Sequence, residues 1–211
     1  MATLIDCTRC RVLQKQFRSL RKDFPDYWNK PVPASGNQSA TLMIVGLAPG
    51  KHGANRTGIP FTGDASGDLL FQTLQKLDLV DRVIITNAVK CLPVQNKPST
   101  IEMNNCQRHL KPEVASHCEK SSAIFLALGQ VAHNALLKAF GYTLSHFPFS
   151  HGAEHKPSDH VTLVDSYHCS RYNTQTKRLT LAMFERVVAK AARLAGNSQL
   201  NLTQPNRICS D

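Results

Sequence analysis

A chain of 211 residues with 42% apolar and 19% charged residues has the size and composition of one globular domain. Lys and Arg outnumber Asp and Glu 25 to 15, and the resulting charge of +10 points to a polyanionic partner, nucleic acid first. The first residues, MATLIDCTRC, lack the apolar stretch of a secretory signal and no apolar run is long enough to span a bilayer, which sets aside secreted and membrane-embedded classes and leaves a cytoplasmic protein as the expectation.

In chain order, apolar residues recur at helical spacing through VLQKQFRSLRKDF, and a loop, NKPVPASGNQS, follows. TLMIVG (41–46) is a short β-branched run and predicts the first strand. A glycine-rich stretch, GLAPGKHGANRTGIPFTGDASG, leads from it into a helical pattern, DLLFQTLQKL. RVIITNAV (82–89) is a second strand, then STIEMNNCQRHLKPEVASH a helix whose Ser99 and Glu102 have capping-box spacing. AIFLALG (123–129), the helix QVAHNALLKAF, the strand HVTLVDSY (160–167) and a last helical pattern ending on Gly196 complete the series. Alternation of near-continuous apolar strands with helices predicts an α/β fold: three α/β/α layers around a central four-stranded parallel sheet. Residues 1–196 are expected to form one domain, with 197–211 a mobile tail.

Ligands of such sheets bind beyond the carboxyl ends of the strands. The glycine-rich loop, NAVKCLPVQNKP and SYHCSRYNT all fall there. A loop as long as Gly46–Gly67, with six glycines, is more than a connector. The seven cysteines, an odd number in a reducing compartment, argue against a disulfide framework. Cys7 and Cys10 form a CxxC, and Cys91 and Cys106 lie at a strand exit and on the next helix. Four thiolates suit a structural zinc or an iron–sulfur cluster, and the spacing does not separate the two. Cys118 and Cys209 read as a buried thiol and a tail residue.

The segments GLAPG, HGANRTG, FTGDASGD, TNAVKC and SYHCSRYNT, with the CxxC and the spacing from Cys91 to Cys106, resemble the type-5 (B-type) uracil-DNA glycosylases. The resemblance runs from Cys7 to about Gly196. It implies a 4Fe–4S cluster on Cys7, Cys10, Cys91 and Cys106. It also implies a DNA-repair glycosylase, monomeric and associated with the nucleoid, that flips uracil out of DNA, hydrolyses its N-glycosidic bond and leaves an abasic site. Hypoxanthine and xanthine are further candidate bases. The alternatives are a type-4 enzyme, which the HGANRTG insertion and Leu47 disfavour, and a non-catalytic nucleic-acid-binding module. Two positions depart from the family pattern: Gly50 stands where GLAPA is usual, and Cys169 where HPS has proline.

The chemistry requires an anion-stabilising donor for the leaving base, a positioned water and a means of excluding cytosine. Within the resemblance, Asp64 and His168 are the catalytic candidates. Gly46, Ala48, Pro49, Gly50, Asn55, Phe61, Asn87, Ser170 and Arg171 are the substrate-binding ones. Phe61 stacks on a flipped base or anchors its loop; Asn87 reads uracil or is a turn residue. His168, as a neutral imidazole, donates to uracil O2 as charge develops. Asp64 polarises a water or merely caps the helix it precedes. Ala48, Pro49 and Gly50 line the pocket through main-chain groups, while Ser170, Arg171 and Tyr172 pinch phosphates and fill the gap left by the base. The other histidines (His52, His109, His117, His133, His146, His151, His155 and His160) read as packed or surface residues, and HGAEHKPSDH as a solvated loop.

Overall fold

A computed structural model describes residues 3–196. The expectation for the tail at 197–211, like that for Cys209, lies outside the described residues. The elements are α1 (Arg11–Asp23), β1 (Ser35–Gly36), β2 (Leu42–Gly46), α2 (Ala54–Thr57), α3 (Ala65–Lys76), β3 (Val83–Asn87), α4 (Thr100–Cys118), β4 (Ala123–Leu128), α5 (Gln130–Phe140), β5 (Glu154–Ser158), β6 (Val161–Ser166), α6 (Arg171–Gln175) and α7 (Leu181–Leu194). None of the described helices is long and apolar enough to cross a membrane.

The sheet is six-stranded and mixed, in the order β1-β3-β2-β4-β6-β5. This corrects the expectation of a four-stranded parallel sheet. β2 pairs parallel with β3 and β4, and β4 with β6, but β1 and β5 run antiparallel on the two edges. Both edges escape sequence reading for physical reasons. β1 is two residues long. β5, within the segment read as a solvated loop, is the polar EHKPS; its residues alternate between exposed and half-buried, and Pro157 suits only an edge.

Strands buried on both faces read as unbroken apolar runs, yet side chains still alternate between the two sides. Leu42, Ile44, Ile85 and Leu126 pack under α3 and α7 with Leu70, Leu74, Phe184 and Val188. Met43, Val45, Ile84 and Phe125 face α4 and α5 through Leu110, Val114, Leu136 and Leu137. Ser99 and Glu102 form the expected capping box, with both of its bonds present. α1 stands apart on a small core of Leu13, Phe17, Leu20, Cys91 and Leu92.

Asp165, fully buried on β6, pins the unforeseen edge. Its Oδ1 lies 2.7 Å from His133 Nδ1 on α5, its Oδ2 2.9 Å from His155 Nε2 on β5. His133 Nε2 in turn sits 2.8 Å from the Phe147 carbonyl, and the Ser150 amide donates to Asp165 Oδ2. His133 and His155 are thus a bridged pair that fastens β5 and the segment before it. Removing one member of a buried, hydrogen-bonded pair typically costs about 3–5 kcal/mol. Asp165→Asn is therefore expected to lower stability by about that much, read as a fall in the urea midpoint at unchanged m.

Candidate active site

The three sheet-end segments meet around one pocket of about 940 Å³. Its lining includes Ala48, Pro49, Gly50, Phe61, Asp64, Asn87, His168, Ser170 and Arg171. Gly46 and Asn55 are not among the lining residues. Gly46 works from behind: a Cβ there would stand 2.5 Å from both the Asn87 Oδ1 and the Phe61 ring, so glycine is what lets these two side chains meet. Asn55 is fully buried, and its Nδ2 donates to Asn29 Oδ1 at 2.9 Å. With backbone bonds from Trp28 and Asn29 to the carbonyls of Arg56 and Asn55, it braces the loop against the segment after α1.

Phe61 adopts φ +57°, a left-handed conformation costly for an aromatic residue, and is 7% exposed. Its ring stacks on the His168 imidazole with centroids 6.1 Å apart and planes inclined by 28°. Anchoring and presentation coincide in this residue, because its ring is packed in the core yet forms part of the pocket wall. Asn87 ends β3 opposite Gly46 and is 3% exposed. Its buried Oδ1 has no hydrogen-bond partner among the described residues. Leaving such an acceptor unpaired costs about 1–3 kcal/mol; Asn55 Oδ1, Gln107 Oε1 and His109 Nε2 are unpartnered likewise, but of these four residues only Asn87 lines this pocket, where its oxygen can accept from a ligand.

Asp64 divides its carboxylate between two tasks. Oδ1 accepts from the Ser66 and Gly67 amides at 3.1 and 3.0 Å and so caps α3. Oδ2 points toward Gly50 and Gly53, without a donor from the described side chains or amides. A Cβ on residue 50 would lie 2.8 Å from Oδ2, so the departure to Gly50 opens the space this oxygen occupies. Burial pushes the His168 imidazole below its ordinary range, against an opposing pull from Asp64, which leaves the ring neutral at pH 7. Asn173 Nδ2 donates to the His168 carbonyl at 2.8 Å and fixes the loop that carries it.

The second departure, Cys169, is 1% exposed, and its Sγ donates to the Ser66 carbonyl at 3.4 Å. Burial pushes this thiol up to about 12, so it is an un-ionised tie between the His168 loop and the first turn of α3. Ser170 caps α6, accepting from the Asn173 amide, and Arg171 and Tyr172 project outward beside it. Tyr172 is 71% exposed.

Several pocket residues carried no sequence signal. His52 accepts or donates across 3.0 Å to the Tyr27 hydroxyl. Phe149 and Ser150 enter from a segment with no periodicity, and Tyr167 and Arg178 flank the far side. Tyr167 lies inside SYHCSRYNT, where its neighbour His168 drew the chemical reading.

Cys7, Cys10, Cys91 and Cys106 line a second, small cavity together with Lys90, Asn105 and His109. Gln14 Nε2 donates to the Cys7 carbonyl and Gln16 Nε2 to that of Leu92, which fastens the N-terminal segment to the exit of β3. Asn105 Nδ2 approaches Cys10 Sγ at 3.5 Å. Burial and the neighbouring cysteines push the Cys91 thiol far above its ordinary range; Cys106 is pushed up to about 11, burial again leading. Burial first, and then the neighbouring thiols, oppose ionisation of Cys10, Cys91 and Cys106, and with Cys7 these sulfurs form a donor set around one cavity that a cationic centre would satisfy. Lys90, fully buried, donates to Thr86 Oγ1 and Glu113 Oε2, both at 2.6 Å, and closes the cavity from below.

The family model described as "Uracil DNA glycosylase superfamily" matches residues 33–192. A protein of Thermus thermophilus named "Type-5 uracil-DNA glycosylase" is 43% identical over 81% of this chain and 83% of its own. One of Pyrobaculum aerophilum with the same name is 38% identical over 92% and 91%. A "Type-4 uracil-DNA glycosylase" of Sulfurisphaera tokodaii is 27% identical over 87% and 80%.

Proposed function

The chain belongs to the uracil-DNA glycosylase superfamily, and within it we propose a type-5 enzyme whose pocket reads an extruded uracil through Asn87 and expels it as an anion toward His168. The protein is a DNA-repair glycosidase: it hydrolyses the N-glycosidic bond of uracil in DNA, and the type-5 reading is favoured over type-4. The unpaired, buried Asn87 Oδ1 is the observation that carries the proposed recognition. Uracil offers N3–H to that oxygen and O4 to the amide nitrogen, while cytosine presents the reverse at both atoms. A site built on polar contacts rejects a mismatched base strongly, because its own groups stay unpaired.

Phe61, held rigidly against His168, forms the stacking face of the pocket. As the bond to the sugar breaks, negative charge accumulates on the base, and the neutral His168 donates to uracil O2. Asp64 Oδ2, free of the capping task, orients the water that attacks the sugar carbon. Main-chain groups of Ala48, Pro49 and Gly50 border the base, and Ser170 and Arg171 face the backbone at the rim. The pocket volume stands near the upper end of the roughly 300–1,000 Å³ that suits drug-sized ligands. Hypoxanthine and xanthine are the further bases to test beside uracil.

Cys7, Cys10, Cys91 and Cys106 would hold a 4Fe–4S cluster with a structural role, joining the N-terminal segment to the exit of β3 and to α4. The enzyme acts as a monomer in the cytoplasm, on nucleoid DNA.

The direct test is release of free base from duplexes carrying uracil, hypoxanthine, xanthine or a thymine mispair. No release from any of them would leave only a binding module on this fold. Asn87→Ala is expected to slow uracil excision and to shrink the preference for uracil over cytosine, measured as the ratio of single-turnover rates. A slower enzyme with its base preference intact would remove the reading role from Asn87.

A further inference from the structure

Beside the pocket, three side chains form a stack. The His151 ring lies on Tyr167 at 4.9 Å with planes 16° apart, and the Arg178 guanidinium carbon stands 4.6 Å over the same ring. The Tyr167 amide donates to His151 Nδ1 at 3.1 Å, which fixes the imidazole and with it the stack. Tyr167 and Arg178 both line the pocket, Arg178 as an exposed residue of the turn between α6 and α7.

Among the described residues Arg178 makes no ion pair, whereas Lys76, Arg82, Lys90 and Lys190 each have a carboxylate. A guanidinium laid over an aromatic ring keeps its edge donors free, in the planar fork that matches a phosphate. Stacking also removes much of the rotamer freedom that a long side chain would otherwise lose on binding. Gln130, in the first turn of the eleven-residue α5, also lines the pocket, and the amides of that turn add partial positive charge. Arg171 borders the pocket as well, so two arginines without carboxylate partners flank the way in.

We infer that Arg178, held over Tyr167, is a phosphate-binding residue that grips the DNA backbone beside the extruded nucleotide. The inference rests on the reading of this pocket as the glycosylase site: the base is drawn toward Asn87 and Phe61, and the backbone is left at the rim where Arg178 stands. A contact of this kind is blind to base identity.

Equilibrium binding of a duplex carrying a stable abasic-site analogue, followed by fluorescence anisotropy from low to high salt, tests it. Each phosphate contact contributes about −0.9 to the slope of log K against log salt. Arg178→Ala is expected to make the slope shallower by about 0.9. Arg82→Ala, at the start of β3 on the opposite end of the sheet, serves as the control and keeps the parent slope. Tyr167→Leu keeps the charge and removes the shelf, so it should weaken binding roughly two- to five-fold. Arg178→Ala with a parent-like slope overturns the assignment, including the case where affinity falls because the guanidinium stacks on a base. A Tyr167→Leu variant that binds as tightly as the parent overturns the role of the ring. Uracil release by the parent, measured alongside, separates the two layers. Release together with an unchanged Arg178→Ala slope fails Arg178 alone, whereas a parent that neither binds duplex nor releases uracil fails the glycosylase reading and this inference with it.

Discussion

Replacing His168 by alanine is expected to lower single-turnover excision of uracil by about 10²–10³-fold while DNA affinity stays within a few-fold of the parent. The bond to the sugar breaks with charge flowing onto the base, so a fixed donor to that charge contributes more than activation of the water. His168 is fixed by its stack on Phe61 and by the Asn173 bond to its carbonyl. Burial holds the imidazole below 6.5, and Asp64 pulls only part of the way back. The neutral form is the working one, so its loss on acidification begins below the ordinary histidine range. The excision profile should therefore stay flat through pH 6.5 and decline only under it. A parent-like rate in His168→Ala would end the anion-stabilising role.

Asp64→Asn isolates the second catalytic candidate cleanly. Asparagine is as good an N-cap as aspartate, so Oδ1 can still accept from Ser66 and Gly67 and α3 should melt unchanged. A fall in rate at constant melting temperature then belongs to Oδ2 and to the water it orients. An unaltered rate would reduce Asp64 to the cap alone.

Cys91→Ser is expected to remove most soluble, folded protein, a larger effect than any pocket substitution has on folding. Cys91 is 7% exposed and belongs to the small core that seats α1. Binding of a metal centre to four thiolates couples directly to folding, and a serine would leave an unpaired oxygen in its place. The parent should be brown and carry about four irons per chain. Cys118→Ser, on a half-buried thiol at the end of α4, should keep both iron and yield. Stoichiometric zinc without iron in fully active, anaerobically prepared protein would overturn the cluster.

What the sequence determined by itself follows from local rules. The four buried strands were legible because burial on both faces leaves unbroken β-branched runs, and the α4 start because Ser99 and Glu102 satisfy each other's amides. The glycine-rich loop, Asn87 and His168 were legible because strand ends in such sheets carry the site. The tertiary structure decided what depends on partners distant in the chain. β5 is polar and proline-bearing, so nothing local marks it as a strand. It forms by antiparallel pairing with β6, where Asp165, itself bonded to His133 of α5, holds His155. Asn55 read as a ligand contact from its loop; the fold buries it outside the pocket lining, with Nδ2 on Asn29 Oδ1, 26 residues earlier, and Oδ1 unpartnered among the described residues. Whether Asp64 caps or catalyses could not be read from its position either. The fold places the helix amides on Oδ1 and leaves Oδ2 beside Gly50 and Gly53, and the rate of Asp64→Asn decides whether that second oxygen takes part in the chemistry. Arg178 and Tyr167 stand eleven positions apart and meet only because α6 turns the chain back over the pocket, so their stack has no trace in local spacing.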